Sequence, residues 1–332
     1  MTMPSSSILS IDKLSLEFPI YKGAVKALNG VDLEVSPGEI VGVVGESGSG
    51  KSVTSMTAMR LLIEGSFKVT AGSLTMLGTD IVKASEKTML GLRGSQVAMI
   101  FQEPMTALNP TKRVGAQMVE VIRLHRRLEK REARAEAARL LKDMHIADPE
   151  QILRQYPFEL SGGMRQRVLI ALAFSCDPKL LIADEPTTAL DVTVQRQVLL
   201  LLREKARQRN TAVLFITHDM AVVSQFCDRV YVMYGGSVVE DGPTAEVIAE
   251  PRHPYTRALL RALPDLVPPR TPIEAIPGTV PDMTHLPAGC TFASRCPQTG
   301  APCGARPEPR PVGGSSLHHV ACWSVQEEEL RS

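Results

Sequence analysis

The sequence predicts an α/β fold, a parallel sheet covered by helices, with a small irregular module at its C-terminal end. Three observations predict it. Apolar runs of strand length alternate with segments of helical length. A glycine-rich "GESGSGKS" directly follows one of those runs. Half of the 24 prolines lie between Pro264 and Pro311, where helical and strand periodicity fade.

Taken in order, residues 8–45 read as the strands "ILSIDKLSLEF", "VDLEV" and "EIVGVVG", separated by the turn-forming "NG" and "SPGE". Further buried strands are "SQVAMIFQ" (95–102), "KLLIADE" (179–185) and "TAVLFITHD" (211–219). Residues 116–146 have helical periodicity with a densely charged face. Acids and bases are interspersed there, so the face reads as solvated and not as a patch for nucleic acid or lipid. "RVYVMYGGSVVEDG" (229–242) reads as a β-hairpin turning at Gly235-Gly236.

Composition narrows the function. A net charge of +1, with no basic run interleaved with aromatics, argues against nucleic acid as a partner. The N-terminus lacks a charged start followed by an apolar core, and no eighteen apolar residues run together, so a cytoplasmic protein is expected. A reducing compartment disfavours a disulfide framework.

"GESGSGKS" matches the phosphate-binding pattern G-x-x-x-x-G-K-[S/T] between a buried strand and a helix-like segment. Gly45, Gly48 and Gly50 let the backbone N–H groups of this loop, through Glu46, Ser47 and Ser49, turn inward on phosphate oxygens. The following helix adds its positive end. Lys51 is expected on the β- and γ-phosphates and Ser52 on Mg²⁺. "LLIADEP" (180–186) supplies the other half: Asp184 to hold Mg²⁺ through water, and Glu185 as general base for the attacking water.

With these motifs in place the chain resembles the ATP-binding cassette (ABC) ATPases. "LSGGMRQR" (160–167) is similar to the family signature and "ALD" (189–191) to its D-loop, with Asp191. Gln102 in "MIFQEP" stands at the Q-loop glutamine and His218 in "ITHD" at the switch histidine. The resemblance implies a RecA-like core, an antiparallel β-subdomain and a helical signature subdomain at about 103–175, all within residues 1–262, followed by a module at 263–332. It also implies that Ser161, Gly162 and Gly163 close on the γ-phosphate of ATP in an opposite subunit. Gln102 would join Ser52 on Mg²⁺, and His218 would hold Glu185 and the water in line. Tyr21 is the expected adenine platform, with Phe18 as runner-up. The loop "EPMTALNP" (103–110) would lead into a groove for a coupling helix of a membrane subunit.

"EPRHPYTRALLRALP" (250–264) and "LPAGCTFASRCPQTGAPC" (286–303) resemble the tail of ATPases of the dipeptide, oligopeptide and nickel importer group. The chain is accordingly expected to be an ATP-hydrolysing subunit at the cytoplasmic face of a membrane. Expected partners are two permease subunits, a second ATPase subunit (a sister chain or itself) and, through the complex, an extracytoplasmic peptide-binding protein. Nickel or another small solute, or a soluble ABC ATPase acting on nucleic acid or ribosomes, are the alternatives.

Cys290, Cys296, Cys303 and Cys322 form the spacing C-x5-C-x6-C-x18-C in a segment expected to lack a hydrophobic core. Four thiolates suit Zn²⁺ or an iron–sulfur cluster, and the local C-x2-4-C pairing common in zinc sites is missing. The resemblance implies a [4Fe–4S] cluster, with zinc as runner-up and free or oxidised thiols as the remaining alternative. His318 and His319 are either substitute ligands or plain surface residues, and Cys176 and Cys227 read as core residues.

Overall fold

The structure is a computed structural model and describes residues 7–102, 107–187, 190–262 and 275–329. The chain divides into two compact units. The first draws on Met1–Val35, Ile40–Lys83 and Ile216–Ser332, the second on Ser36–Glu39 and Ala84–Phe215.

In the first unit, β1 (Leu9–Ile20), β2 (Gly23–Val35), β4 (Lys68–Met76) and β5 (Thr79–Asp80) form an antiparallel sheet in the order β2-β1-β4-β5. The "NG" at 29–30 is not the turn between strands. Ile20 pairs with Gly23, so the chain reverses at Tyr21-Lys22. Leu14 pairs with Val31 and Leu16 with Leu28, which sets Asn29 and Gly30 of β2 against Ser15 alone. Gly30, at φ +62°, is the bulge residue, and its N–H donates to Ser15 Oγ at 2.9 Å.

The fully buried β3 (Ile40–Val44) pairs in parallel with β9 (Arg229–Tyr234), which forms a hairpin with β10 (Ser237–Pro243). The turn falls at Gly235-Gly236 as the sequence predicts, both glycines having positive φ. β11 (Arg310–Val312) and β12 (Ser315–Val320) extend this sheet in the order β11-β12-β10-β9-β3. The helices of this unit are α1 (Lys51–Ala58), α8 (Met220–Phe226), α9 (Thr244–Ala249), α10 (Pro254–Arg261) and α11 (Trp323–Glu329).

The C-terminal module is therefore less irregular than expected. Gly313-Gly314, both at positive φ, turn a hairpin whose second strand pairs Val320 with Glu240. Nor does it lack a core: Val312, Val320, Cys322 and Val325 form a small buried cluster. Phe292, 1% exposed, packs against Tyr234 and Tyr255, with ring centroids 5.1 and 5.4 Å away. The apolar partners come from strands and helices distant in sequence, which local periodicity does not reveal.

In the second unit, β6 (Val97–Ile100), β7 (Leu180–Asp184) and β8 (Ala212–Ile216) lie in the order β8-β7-β6, with β6 and β7 parallel. Its helices are α2 (Glu86–Leu92), α3 (Val114–Arg126), α4 (Lys130–Asp143), α5 (Pro149–Arg154), α6 (Gly162–Ala173) and α7 (Val192–Gln208). The predicted helical stretch 116–146 is two helices. Arg127 ends α3 in the left-handed conformation, and a capping box between Glu129 and Glu132 starts α4. Their buried stripes are Val114, Met118 and Ile122, then Ala133, Ala137, Leu140 and Leu141. The outer face carries ion pairs such as Arg126–Glu136 at 2.7 Å and Arg139–Asp143 at 2.8 Å.

Candidate functional site

In the first unit β3 delivers the chain into the loop Gly45–Ser52, whose last two residues open α1. The glycines are sterically enforced at both ends of the loop. A Cβ on Gly45 (φ +153°) would lie 2.1 Å from the Met233 carbonyl oxygen, and one on Gly50 (φ +101°) 2.7 Å from that of Ala27. Gly48 is also left-handed, at φ +79°, and forms the exposed crest with Ser47.

Lys51 is buried with its ammonium folded back over the loop, donating to Gly45 O at 2.8 Å and Glu46 O at 2.9 Å. Glu46 N–H donates to Tyr255 Oη at 2.9 Å, and Gly236 N–H donates to Ser49 O at 3.2 Å. Ser49 Oγ is buried without a hydrogen-bond partner. A positive-φ turn at a helix start, with an ammonium and an unsatisfied hydroxyl, is built to receive an anion. Ser52 is exposed beside it.

Two more expected residues belong to this unit. His218 is exposed between Thr217, whose N–H donates to Val43 O at 3.1 Å, and Asp219, which caps α8 through Ala221 N and Val222 N. Tyr21 stands at the tip of the β1–β2 hairpin, 97% exposed, whereas Phe18 is half-buried within β1.

In the second unit the fully buried β7 ends in Asp184, which is 6% exposed. Glu185 follows in the left-handed conformation at φ +46°, a costly one for a residue with a Cβ. Gln102 Nε2 donates to Glu185 Oε2 at 3.1 Å, so the glutamine expected on Mg²⁺ holds the expected base here. Ser161 is the N-cap of α6, its Oγ accepting from Met164 N at 3.3 Å, and Asp191 caps α7 by accepting from Val194 N at 2.9 Å. A Cβ on Gly163 would come within 2.6 Å of Val194 Cγ1, and one on Gly162 within 3.2 Å of Leu190 Cδ2. The signature glycines thus let α6 approach the start of α7. Ala189 and residues 103–106 of "EPMTALNP" lie outside the described residues.

Residues 28–188 match the family model described as ABC transporter, and residues 239–303 match that of the oligopeptide/dipeptide transporter, C-terminal region. The probable D,D-dipeptide transport ATP-binding protein DdpD of Escherichia coli (strain K12) is 59% identical, covering 99% of each chain. The chain belongs to the ABC transporter family. The oligopeptide transport ATP-binding protein AppD of Bacillus subtilis (strain 168) is 46% identical over 97% of this chain and 98% of its own. Among solved structures, the dimeric post-hydrolysis ATP-binding cassette MJ0796 bound to ADP and Pi superposes with a TM-score of 0.63. It is 25% identical, and the match covers 71% of this chain and 98% of that one.

As a member of the ABC transporter family the chain is a transport ATPase of α/β fold. Among the described residues no helix is long and apolar enough to cross a membrane.

The C-terminal cysteines are all free thiols. Cys290 N–H donates to Cys303 O at 3.0 Å. Burial pushes the Cys290 thiol up to about 11, with the neighbouring Cys303, Cys322 and Cys296 adding to the rise, and burial also raises Cys296 and Cys322. Among the described residues no group of three or more His, Cys, Asp or Glu is placed to hold a metal ion. Of the two histidines, the first is not a surface residue. His318, 3% exposed, meets Glu240 Oε1 at 2.8 Å, and His319 meets Asp241 Oδ2 at 3.2 Å. Cys227 is a core residue as expected, while Cys176 is half-buried.

Sequence reasoning missed Tyr255 and Arg295, both of which bind Glu46 of the phosphate loop. Tyr255 lies in the "HPYTRALL" stretch, whose resemblance marks the importer group but assigns this side chain no contact.

Proposed function

We propose that this chain is the ATP-hydrolysing subunit of a membrane importer of di- or oligopeptides. It would work at the cytoplasmic face through two separate permease subunits, with a second ATPase subunit beside it and a peptide-binding protein on the far side. The observation that carries the reading is the phosphate loop, an anion cradle with Lys51 folded over it, in a chain that also matches the peptide-transporter C-terminal region. The relatives named for peptide transport support the cargo.

In this reading Lys51 and the N–H groups of the loop bind the phosphates of ATP, except those of Glu46 and Ser49, which are bonded to Tyr255 Oη and Glu46 O, and Tyr21 stacks on adenine. Glu185 takes a proton from the attacking water, oriented by Gln102 and His218. Ser161, Gly162, Gly163 and Asp191 meet the nucleotide of the partner ATPase subunit. The donor set of a hydroxyl, a carboxylate and an amide, Ser52, Asp184 and Gln102, fits Mg²⁺, whose charge offsets that of the phosphates. Reconstitution with the permeases tests the function: ATP-dependent uptake of a labelled dipeptide is expected. Uptake of nickel and not of peptide would overturn the cargo, and failure to co-purify with any multi-span partner would overturn the importer.

We also propose that Cys290, Cys296, Cys303 and Cys322 hold a [4Fe–4S] cluster. Four free thiols within one module, three of them raised by burial with a further rise from neighbouring cysteines, form a donor set of the right chemistry. Binding would draw the side chains together and deprotonate them. The module already has its own hydrophobic cluster, so the group would reinforce a fold and not create one. Iron and sulfide analysis after anaerobic purification is expected to give about four of each. A colourless protein with one zinc would refute the cluster.

A further inference from the structure

Arg295 sits in the C-terminal module, one residue before Cys296, yet its guanidinium is spent on the phosphate loop. Nη1 donates to Glu46 Oε2 at 2.7 Å and Nη2 to Glu46 Oε1 at 3.2 Å, a two-pronged pair. The remaining donors reach Pro277 O at 2.8 Å, Ile276 O at 3.2 Å and Tyr234 Oη at 3.2 Å. The side chain is 3% exposed, against 27% for Glu46. Its guanidinium also lies over the Tyr234 ring, 5.7 Å from the centroid.

Glu46 is consequently fixed at three points. Its N–H is held by Tyr255, its carbonyl by Lys51 and its carboxylate by Arg295. Tyr255 and Arg295 are also linked, because both pack on Tyr234, and Phe292 of the module packs on both tyrosines. Glu46 is moreover a negative charge inside a loop built for anions. Unless offset, it repels the phosphates that the loop must gather.

We propose that Arg295 is a positioning residue of the phosphate loop. It fixes Glu46 and cancels its charge, so that ATP binding by the cassette depends on the C-terminal module. The inference rests on the ATP-site reading above. It assigns the module a task beyond holding any metal: a disturbance next to Cys296 is transmitted to the second residue of the loop through a single buried side chain.

The test uses the full-length chain, measuring binding of a non-hydrolysable ATP analogue with Mg²⁺ together with KM and kcat for ATP. Arg295→Gln is expected to weaken analogue binding and raise KM about tenfold, equivalent to about 1.4 kcal/mol. The Glu185 machinery is untouched, so kcat should change much less. Adding Glu46→Gln should recover most of the lost affinity, because the uncompensated carboxylate is then gone. If Arg295 served only to fold the module through the Ile276 and Pro277 carbonyls, Glu46→Gln would rescue nothing, which would overturn the proposal. An unchanged KM in Arg295→Gln would do the same.

Should Arg295→Gln not fold, Arg295→Lys replaces it, compared with the wild type in both Glu46 and Glu46→Gln backgrounds. A several-fold difference between Arg and Lys that vanishes with Glu46→Gln supports the proposal, and one that persists refutes it. A wild-type chain that binds no analogue at all would overturn the ATP-site reading and this proposal with it, an outcome distinct from the others.

Discussion

Glu185 combines a strained backbone with a carboxylate held by Gln102 Nε2, so its side chain is aimed by the fold and not by rotamer choice alone. Glu185→Gln keeps the shape and removes the proposed base. ATP turnover should fall roughly 10²–10⁴-fold with nucleotide binding retained, as phosphate release and equilibrium binding on the same preparation would show. Turnover within a factor of a few of the wild type would remove Glu185 from the role of base. Residues of this kind were legible because their chemistry is local: the loop glycines, Lys51, Asp184 and Glu185 each stand in a short motif next to a buried strand. Arg295 was not, since it meets Glu46 across 249 positions of sequence, and no spacing rule reaches that far.

At the scale of elements, the signature glycines and the start of α10 carry specific consequences. Gly163→Ala pushes a methyl group against the stiff Val194 side chain, and overpacking of this kind costs about 1–3 kcal/mol. Denaturant unfolding should show that loss, and Val194→Ala added to Gly163→Ala should relieve much of it. Near α10, His253 is fully buried and its Nδ1 accepts from Tyr255 N at 3.0 Å. Burial lowers its pKa from 6.5 to about 4, opposed by Glu240 and reinforced by Arg257. The folded state therefore resists protonation more than the unfolded chain does. The stability this histidine contributes is complete above about pH 6.5 and is lost as pH falls towards 4. Melting temperature should decline over that window, and His253→Gln should flatten the decline. The strands and the β9–β10 hairpin were readable from periodicity and paired glycines. The "NG" misled because a left-handed glycine serves a bulge as well as a turn, and only the pairing Ile20 with Gly23 separates the two uses.

For the molecule as a whole, the C-terminal module is built into the sheet and core of the first unit. β12 pairs with β10 through Glu240 and Asp241, and the buried His318 lies against Glu240, which also accepts from the backbone N–H groups of Arg252 and His253. Met283 O accepts from Lys26 N at 2.9 Å on β2. Phe292 covers Tyr234 and Tyr255, both fully buried. A chain ending at Arg261 keeps every ATP-binding motif, yet it loses these covers together. It would expose two tyrosine rings and the edge of β10, bury a carboxylate without its histidine, and free Glu46 from Arg295. Unpaired strand edges and apolar patches promote association. The truncated chain is expected to aggregate and to melt several degrees below the full chain, with light scattering and thermal unfolding as the measurements. A soluble truncated chain with unchanged melting temperature and ATP affinity would mean that the cassette stands alone. Failure of both properties together would mean that the module and the phosphate loop fold as one unit, the arrangement that the Arg295–Glu46 pair requires.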